Sequence, residues 1–163
     1  MEEQARYDAK ERGFEIVEDW ARDFPGCEII LPKRSTKYSA GYDFFLVDDV
    51  EIPKNGKIIV STDVKTYMQE DERLEIHIRS SLGIKKGLYL LNAEGVIDHD
   101  YYRNPKNDGK IMMGIGNTNP FPVMIKKGER IAQGIFSKYL LADGDNFENN
   151  GNSRNGGMGS TDE

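Results

Sequence analysis

The heptapeptide RLEIHIR, residues 73–79, indicates the fold more clearly than any other stretch of the chain. Its apolar and polar residues alternate, as in a strand with one face in the core and the other in contact with water or a ligand. Similar short runs, separated by turn residues, continue from about Phe14 to Lys138. They are FEIV, CEIIL, YDFFLV, VEI, KIIVS, RLEIHIR, LYLLN, GVI, KIMMGIG, PVMIKK and RIAQGIF. Short strands in this number predict an all-β barrel or sandwich.

Two segments depart from this pattern. Ser80–Gly87, directly after the heptapeptide, predicts one or two turns of helix with a serine as N-cap and Gly87 as the stop. Residues 143–163 are rich in Gly, Asn and Asp, so we expect a mobile arm there. We therefore predict one β-rich domain, residues 1–142, whose residues 1–13 form an N-terminal extension, followed by the arm.

Composition limits the possible classes of function. The chain has 163 residues and a net charge of −6, from 28 acidic and 22 basic side chains, so no general attraction to nucleic acid is expected. No apolar run is long enough to cross a bilayer, and the acidic N-terminus lacks the apolar segment of a secretory signal. A lone cysteine, Cys27, and two histidines make a disulfide framework or a zinc site unexpected. We predict a cytoplasmic protein that is not bound to membranes.

Arg79, Ser80 and Ser81 lie where the predicted strand ends and the predicted helix begins. Free N–H groups at a helix start, together with a guanidinium group, suit a phosphate. The alternative is an ordinary helix cap beside a solvated arginine. The chain has no Gly-rich P-loop with its lysine, which excludes a Walker-type nucleotide site.

The stretch GVIDHDYYR, Gly95 to Arg103, is an apolar run that ends in acids and tyrosines. A carboxylate at the end of an apolar strand is partly desolvated and suits proton abstraction from water, so Asp98 is a candidate general base. The alternative is that Asp98 caps a turn while the two tyrosines pack at a barrel rim. The polar residues 104–108 that follow predict a surface loop.

Two shorter motifs are weaker signals. AGYD, residues 40–43, places Asp43 directly after a glycine turn, and GERIAQ, residues 128–133, places Gln133 on a strand after a turn. Each also fits a purely structural turn.

In their order along the chain, these motifs closely resemble the five motifs of the trimeric dUTP pyrophosphatase (dUTPase) family. AGYD is followed by RSS, by N-x-x-G-V-I-D-x-D-Y, by GERIAQ and by the Gly-rich GGMGST, so the resemblance runs from Leu31 to Thr161. It implies a jelly-roll-like β subunit and a homotrimer with shared active sites. It also implies hydrolysis of dUTP to dUMP and pyrophosphate with Mg²⁺, which lowers dUTP and supplies dUMP for thymidylate synthesis.

The resemblance implies roles for individual residues. Asp98 matches the general base that activates the water attacking the α-phosphorus. Tyr101 matches the aromatic residue that lies against the deoxyribose, where a ribose 2′-hydroxyl would go. Asp43 matches an acid that supports Mg²⁺ indirectly, because phosphate oxygens and waters supply most ligands of this ion. The implied substrate contacts are Asn92, Gly95, Val96, Ile97 and Met112 for uracil, and Arg79, Ser80, Ser81 and Gln133 for the phosphates.

The resemblance further implies that the arm closes over the substrate as a lid. Arg154 matches a phosphate-binding arginine. Met158 stands where the family usually has an aromatic residue over the uracil, and its thioether covers a base with less stacking. Backbone N–H groups are offered by Gly156, Gly157, Gly159, Ser160 and Thr161.

Three other functions fit less well. A dCTP deaminase shares the fold and an RSS-like motif, but it needs a glutamate three residues before Asn117, where this chain has Gly114. An inactive binding protein on the same scaffold has no physical need for Asp98 beside Tyr101. A carbohydrate-binding module needs an aromatic platform, and the chain has a single tryptophan, Trp20. The sequence leaves open whether a regulatory protein also binds.

Overall fold

The computed structural model describes residues 10–145 and 156–158, and this part of the chain folds into short strands with one α-helix. The strands are β1 (Gly13–Ile16), β2 (Tyr42–Phe45), β3 (Val50–Ile52), β4 (Lys57–Ser61), β5 (Val64–Tyr67), β6 (Glu72–Ile78), β7 (Leu88–Leu90), β8 (Gly95–Asp98), β9 (Met112–Asn117), β10 (Val123–Ile125) and β11 (Arg130–Lys138), and the helix is α1 (Ser80–Lys86). Short 3₁₀ turns cover Asp19–Ala21 and His99–Tyr101. This architecture confirms the predicted all-β, jelly-roll-like fold. Among the described residues, no helical segment has the length and apolar character of a membrane span.

The strands form two larger sheets and two isolated pairs. The four-stranded sheet has the order β2-β11-β6-β8, and the three-stranded sheet has the order β4-β9-β7. The pairs are β1 with β5 and β3 with β10, and all pairings are antiparallel. Since β2 and β11 are neighbours, the sheet joins early and late parts of the chain.

A hydrophobic core combines side chains from both larger sheets. Phe44, Leu74 and Ile131 enter it from the four-stranded sheet, and Ile115 enters it from β9. In the heptapeptide 73–79, Leu74 and Ile76 are only 0% and 2% exposed, whereas the intervening polar side chains are partly exposed. The predicted alternation is therefore confirmed, and the polar face of β6 is left for contacts outside the core.

Two strand predictions differ from the structure. Residues 27–31, CEIIL, form no strand, and the nearby pairing is a single bridge between Lys33 and Asp43. Conversely, β5 was not predicted because its sequence, VKTY, is too polar to resemble a core strand. Its Lys65 is nevertheless only 1% exposed, and Nζ lies 2.6 Å from Asp108 Oδ2. Long-range charge pairing therefore buries a strand that local pattern cannot identify.

The helix ends as predicted but begins one residue earlier than predicted. Gly87 takes the left-handed conformation with φ of +66°, and its N–H donates to the Leu82 carbonyl. The serine N-cap was wrong: the capping position is Arg79, in extended backbone conformation and without a side-chain capping bond. Ser80 is instead the first helical residue.

The segment 104–108 is not the surface loop that its polar composition predicts. Asn104 and Asp108 are each only 3% exposed, although Pro105 and Lys106 between them are exposed. The turn closes through the Asp108 N–H, which donates to the Asn104 carbonyl at 2.9 Å. A polar sequence is buried here because each of its buried groups finds a partner.

Candidate active site

A cavity of about 520 Å³ opens beside the turn between β7 and β8. Its walls come from this turn, from β8 and β9, from Ile59 on β4, and from the described arm residues. It collects most of the residues predicted to contact the base and sugar: Asn92, Gly95, Val96, Ile97, Tyr101, Met112 and Met158. Residues far apart in sequence are therefore brought to one concave surface.

The backbone around β8 suits the reading of a flat polar ring. β8 is the edge strand of the four-stranded sheet, paired with β6 on one side. The N–H and C=O groups on the other side of an edge strand are not used by the sheet and are available to a ligand. Asn92 is presented next to them by a tight turn, in which the Ala93 N–H donates to the Leu90 carbonyl at 3.0 Å.

Asp98 ends β8, directly after Ile97 of the cavity wall. Its partner across the sheet is Arg73 on β6. The 3₁₀ turn that follows redirects the chain, so that Tyr101 returns to the cavity and is only 6% exposed. The structure thus places the predicted base and the predicted sugar contact at the same end of the strand.

The remaining polar residues of the stretch 95–103 anchor its end to other elements. The His99 Nδ1 atom lies 2.8 Å from the Met68 carbonyl oxygen. The Tyr102 hydroxyl donates to Glu15 at 2.7 Å, and burial raises the pKa of this phenol. Tyr102 therefore stays a neutral donor, and its role is to attach the end of β8 to β1.

A second cleft, of about 400 Å³, lies at the start of α1 and is rich in positive charge. Asp43 is buried there between two guanidinium groups. Its Oδ1 lies 3.1 Å from Arg79 Nε, and its Oδ2 lies 3.3 Å from an Arg130 terminal nitrogen. The cleft is lined by Arg79, Ser81, Lys85, Lys86 and Arg130, among others, while Ser80 is exposed beside it. Arg130 was not singled out from the sequence because nothing local distinguishes it from other exposed arginines.

The AGYD and GERIAQ motifs meet next to this cleft. Gln133 on β11 pairs with Asp43 on β2 and with His77 on β6. A Cβ atom at Gly41 would overlap the Gln133 side-chain amide, so the glycine of AGYD makes room for this glutamine. The two motifs, weak when taken singly, form one structural unit.

Within one chain, Asp98 and Arg79 lie at the levels of opposite ends of β6. Asp98 is opposite Arg73 on β6, and Arg79, directly after the last residue of β6, is six residues beyond Arg73. At a rise of about 3.3 Å per residue, the two positions are about 20 Å apart. A single chain therefore does not bring the candidate base and the RSS arginine together.

Three of the described residues have the geometry of a metal-ligating group. Ligand atoms of Glu75, His77 and Glu94 all lie within 4.8 Å of one another. Glu75 is already engaged, since the Ser137 hydroxyl donates to it at 2.9 Å and Arg73 pairs with it. The Ser137 hydrogen bond, followed by those from His77 and Arg73, keeps the pKa of Glu75 below its usual range. Asp43 is not a member of this group.

The arm is described only at Gly156–Met158. Gly157 lies so close to Tyr101 that a Cβ atom there would come within 2.6 Å of the ring. Met158 is 75% exposed at the cavity mouth. The predicted contacts Arg154, Gly159 and Ser160, like Thr161, lie outside the described residues.

Gly114 occupies the position at which a deaminase would need a glutamate. A Cβ atom at Gly114 would come within 2.8 Å of the Leu91 side chain. The cavity wall therefore leaves little room for a longer side chain there, which agrees with the sequence-based exclusion of deamination.

Comparison with known proteins gives a consistent result. The dUTPase family profile matches residues 27–162. The deoxyuridine 5′-triphosphate nucleotidohydrolase of Lactococcus lactis subsp. lactis is 44% identical over 152 residues, which are 93% of this chain and 98% of the relative. The corresponding protein of a Hydrogenobaculum species is 36% identical over 134 residues, covering 80% and 89%. The crystal structure of dUTPase from Streptococcus mutans superposes with a TM-score of 0.72 at 44% identity, covering 81% of this chain and 99% of that one.

Proposed function

Because this chain belongs to the dUTPase family and hydrolyses dUTP to dUMP, we propose that the cavity beside β8 binds the deoxyuridine part of the substrate and that Asp98 is the general base. The observation that carries this proposal is the convergence on that cavity of Asn92, the β8 edge and Tyr101. A cavity of this kind, mostly apolar with a few convergent polar groups, is typical of small-molecule sites.

The base and the sugar are recognised by different walls of the cavity. The edge of the uracil ring forms hydrogen bonds with the fixed backbone groups of β8 and with the Asn92 amide. The ring lies between Met112 and the strand, which leaves no room for an added methyl group. The Tyr101 ring lies against the deoxyribose and excludes a ribose hydroxyl. Met158 covers the base when the arm, residues 143–163, closes as a lid.

The phosphates are bound by the cationic cleft at the start of α1. Arg79 and Arg130 flank the carboxylate of Asp43, which fixes the direction of both guanidinium groups. Such groups neutralise negative charge on phosphate oxygens, and their charge matters most where it develops during reaction. Asp98 accepts a proton from the attacking water and aligns it with the α-phosphorus.

The residues of this cleft fit Mg²⁺ held by substrate phosphates and water. The Asp43 carboxylate is already paired with two arginines, so it acts on the metal side indirectly, by orienting Arg79 and Arg130. Mg²⁺ commonly keeps several waters and binds through phosphate oxygens. When bound with the substrate, the ion supplies further neutralisation of the departing pyrophosphate.

A complete site requires more than one chain. Along β6, the level of Asp98 is about 20 Å from Arg79. This distance is too large for Asp98 and Arg79 of one chain to contact the same α-phosphate group. We therefore propose that one chain supplies the base and another supplies the cationic cleft, within the homotrimer that the resemblance to the dUTPase family implies. With closed cyclic symmetry, every site in the assembly receives both parts, each from a different chain.

The assignment of the base is tested by replacing Asp98 with Asn. The amide keeps the shape of the side chain but cannot accept a proton, so hydrolysis should fall by about 10² to 10⁴-fold while dUTP still binds. Pyrophosphate release measures turnover, and calorimetry with the non-hydrolysing variant measures binding.

Asp100→Asn, a nearby exposed acid, is the matched control and should retain turnover. If Asp98→Asn hydrolyses dUTP at close to the parent rate, Asp98 is not the base.

A further inference from the structure

The turn 104–110 surrounds the end of the 3₁₀ turn that carries Tyr101. The Asn104 amide donates to the Tyr101 carbonyl at 2.8 Å and to Asn107 Oδ1 at 2.7 Å. The same Asn107 oxygen accepts the Gly109 N–H at 3.1 Å. Because two donors point at Oδ1, the orientation of the Asn107 amide is set by its neighbours.

The other end of this amide contacts the Tyr101 hydroxyl. Asn107 Nδ2 donates to the hydroxyl oxygen at 2.8 Å, and the hydroxyl donates to the Lys110 carbonyl at 2.7 Å. The phenol thus has both a donor and an acceptor partner within the same turn. A phenol held in this way cannot slide along its own plane without breaking a buried hydrogen bond.

The turn is itself attached firmly to the domain. Asp108 accepts from the buried Lys65 ammonium at 2.6 Å and from the Glu18 N–H at 2.7 Å. Lys110 Nζ donates to the Ala21 carbonyl at 2.7 Å. These contacts join the turn to β5 and to the segment around the 3₁₀ turn Asp19–Ala21, so Asn107 stands on a rigid support.

Gly109 explains how the turn comes so close to Tyr101. Its φ is +85°, and a Cβ atom there would lie 2.9 Å from the Tyr101 carbonyl oxygen and 3.0 Å from the Tyr102 Cα. Glycine takes this conformation without strain and leaves space for the approaching backbone.

From these contacts we propose that Asn107 is a positioning residue for sugar selectivity: it holds the Tyr101 hydroxyl, and thereby the ring, at the place that excludes a ribose. The inference rests on the proposed function, since it takes the Tyr101 ring as the surface against the deoxyribose. Catalytic and specificity contacts need positional accuracy of about 0.5 Å, which an unbraced ring in a cavity does not have. Asn107 does not line the cavity and acts only through Tyr101.

The experiment measures kcat/KM for dUTP and for UTP in variants of the full chain. Asn107→Ala should lower the preference for dUTP over UTP by about tenfold, the equivalent of one buried hydrogen bond. Asn107→Asp keeps the acceptor for Asn104 and Gly109, but its carboxylate can only accept from the Tyr101 hydroxyl, which then gives up the Lys110 carbonyl. The hydroxyl keeps one hydrogen bond in place of two, so the preference should fall, by less than in the alanine variant. If the alanine variant does not fold, Asn107→Asp tests the proposal in its place.

Asn119→Ala is the matched control. Its amide donates to the Lys86 carbonyl at 2.6 Å, at the far end of α1, and its loss should leave the preference unchanged. Tyr101→Phe removes the hydroxyl through which Asn107 acts, so Asn107→Ala should add no further loss in that background. An equal loss in both backgrounds, or an unchanged preference in both Asn107 variants, overturns the proposal.

A further variant, Tyr101→Ala, separates this inference from the function on which it rests. If Tyr101→Ala lowers the preference while both Asn107 variants retain it, the sugar contact stands and the role of Asn107 is wrong. If Tyr101→Ala retains the preference, the sugar contact itself is wrong, and the proposal for Asn107 fails with it.

Discussion

At the scale of single residues, two of the carboxylates that pair with arginines, Asp43 and Glu72, are the most informative. Asp43 lies between Arg79 and Arg130, so the acid of the AGYD motif is an organiser of cations. Glu72, at the start of β6, accepts three hydrogen bonds from the Arg12 side chain and one from the Gln69 N–H. Its side chain is only 6% exposed, so this pair ties the segment before β1 to the four-stranded sheet.

Glu72 should make stability depend on pH in the acidic range. The Arg12 hydrogen bonds, reinforced by the Gln69 N–H, lower the pKa of Glu72 in the folded state. Its contribution is therefore complete above the unfolded value of about 4.3 and is lost as the pH falls through the lower folded value. Glu72→Gln should lower the free energy of unfolding at pH 7 by about 1 kcal/mol, a modest figure because Arg12 is 40% exposed.

Urea unfolding at a series of pH values measures this effect. The difference between the parent chain and Glu72→Gln should shrink as the pH falls below about 4 and vanish below the folded pKa, where the glutamate is protonated in both states. Glu70→Gln, an exposed glutamate on the same turn, controls for the loss of one charge. A difference that stays constant down to pH 2 would contradict the assigned pairing.

At the scale of elements, the pairing of β5 with the turn 104–110 is the least conventional part of the fold. Lys65 and Asp108 are both nearly inaccessible, and neither strand nor turn is apolar enough to be buried by hydrophobic contact alone. Each element therefore depends on the other for its place in the domain, and the removal of one charge takes away the shortest ion pair of its buried partner.

Asp108→Asn should thus be strongly destabilising, by about 3 kcal/mol, since it leaves the buried Lys65 ammonium with only the exposed Glu18 carboxylate, at 3.7 Å. Thermal unfolding followed by circular dichroism measures the loss. Asp71→Asn removes a carboxylate from an exposed pair with Lys138 at 2.7 Å and should leave unfolding unchanged. Equal effects of the two substitutions would show that burial of the Lys65–Asp108 pair has no energetic consequence.

These elements also show what the sequence could and could not predict. The heptapeptide 73–79 predicts β6 because side-chain alternation is a local property, and Gly87 predicts the helix end for the same reason. The strand at 64–67 and the burial of residues 104–108 depend on partners more than 40 residues away, which no local pattern contains. The error at 27–31 has the opposite origin, because an apolar run there finds no strand to pair with among the described residues.

The grouping of the candidate site residues follows from the order of the motifs and not from local pattern. Asn92, Tyr101 and Met112 meet in one cavity as expected, because the motif order already specified a known arrangement. Arg130 and Asn107 were missed, since their importance lies in what they hold: Asp43 in one case and the Tyr101 hydroxyl in the other. Side chains that act through a neighbour carry no sequence signal of their own.

At the scale of the whole molecule, β6 separates two parts of the site, which we call the half-sites. One contains Asp98 and the other contains Arg79. Asp98 lies at the level of one end of this strand, and Arg79, in the cationic cleft, follows its other end. The antiparallel register is set by the alternation of core residues, and a slip of one residue would turn every core side chain outward. The distance between the two half-sites is accordingly a fixed property of the fold.

Shared sites predict that two inactive variants restore each other. Asp98→Asn and Arg79→Ala chains, co-expressed with different tags and purified as mixed assemblies, should recover activity. Random assembly leaves about a quarter of the sites with both native residues when these come from different chains.

Pyrophosphate release from the mixed assemblies gives the result, with each variant alone as control. An inactive mixture that contains both tags, or a fully active monomer, would show that each chain carries its own complete site.

The placement of the two half-sites at opposite ends of β6 also has a genetic meaning. In the proposed trimer, a chain with a damaged Arg79 impairs a site whose base belongs to its neighbour, even when that neighbour is intact. An equal mixture of intact chains and chains damaged at Arg79 alone would keep about half of its sites, whereas chains damaged at both Asp98 and Arg79 would leave only about a quarter. A chain with both lesions should therefore inhibit the intact chains with which it assembles, whereas a chain that fails to fold, for example through a lesion at the Lys65–Asp108 pair, is removed before assembly and should leave the intact trimers fully active.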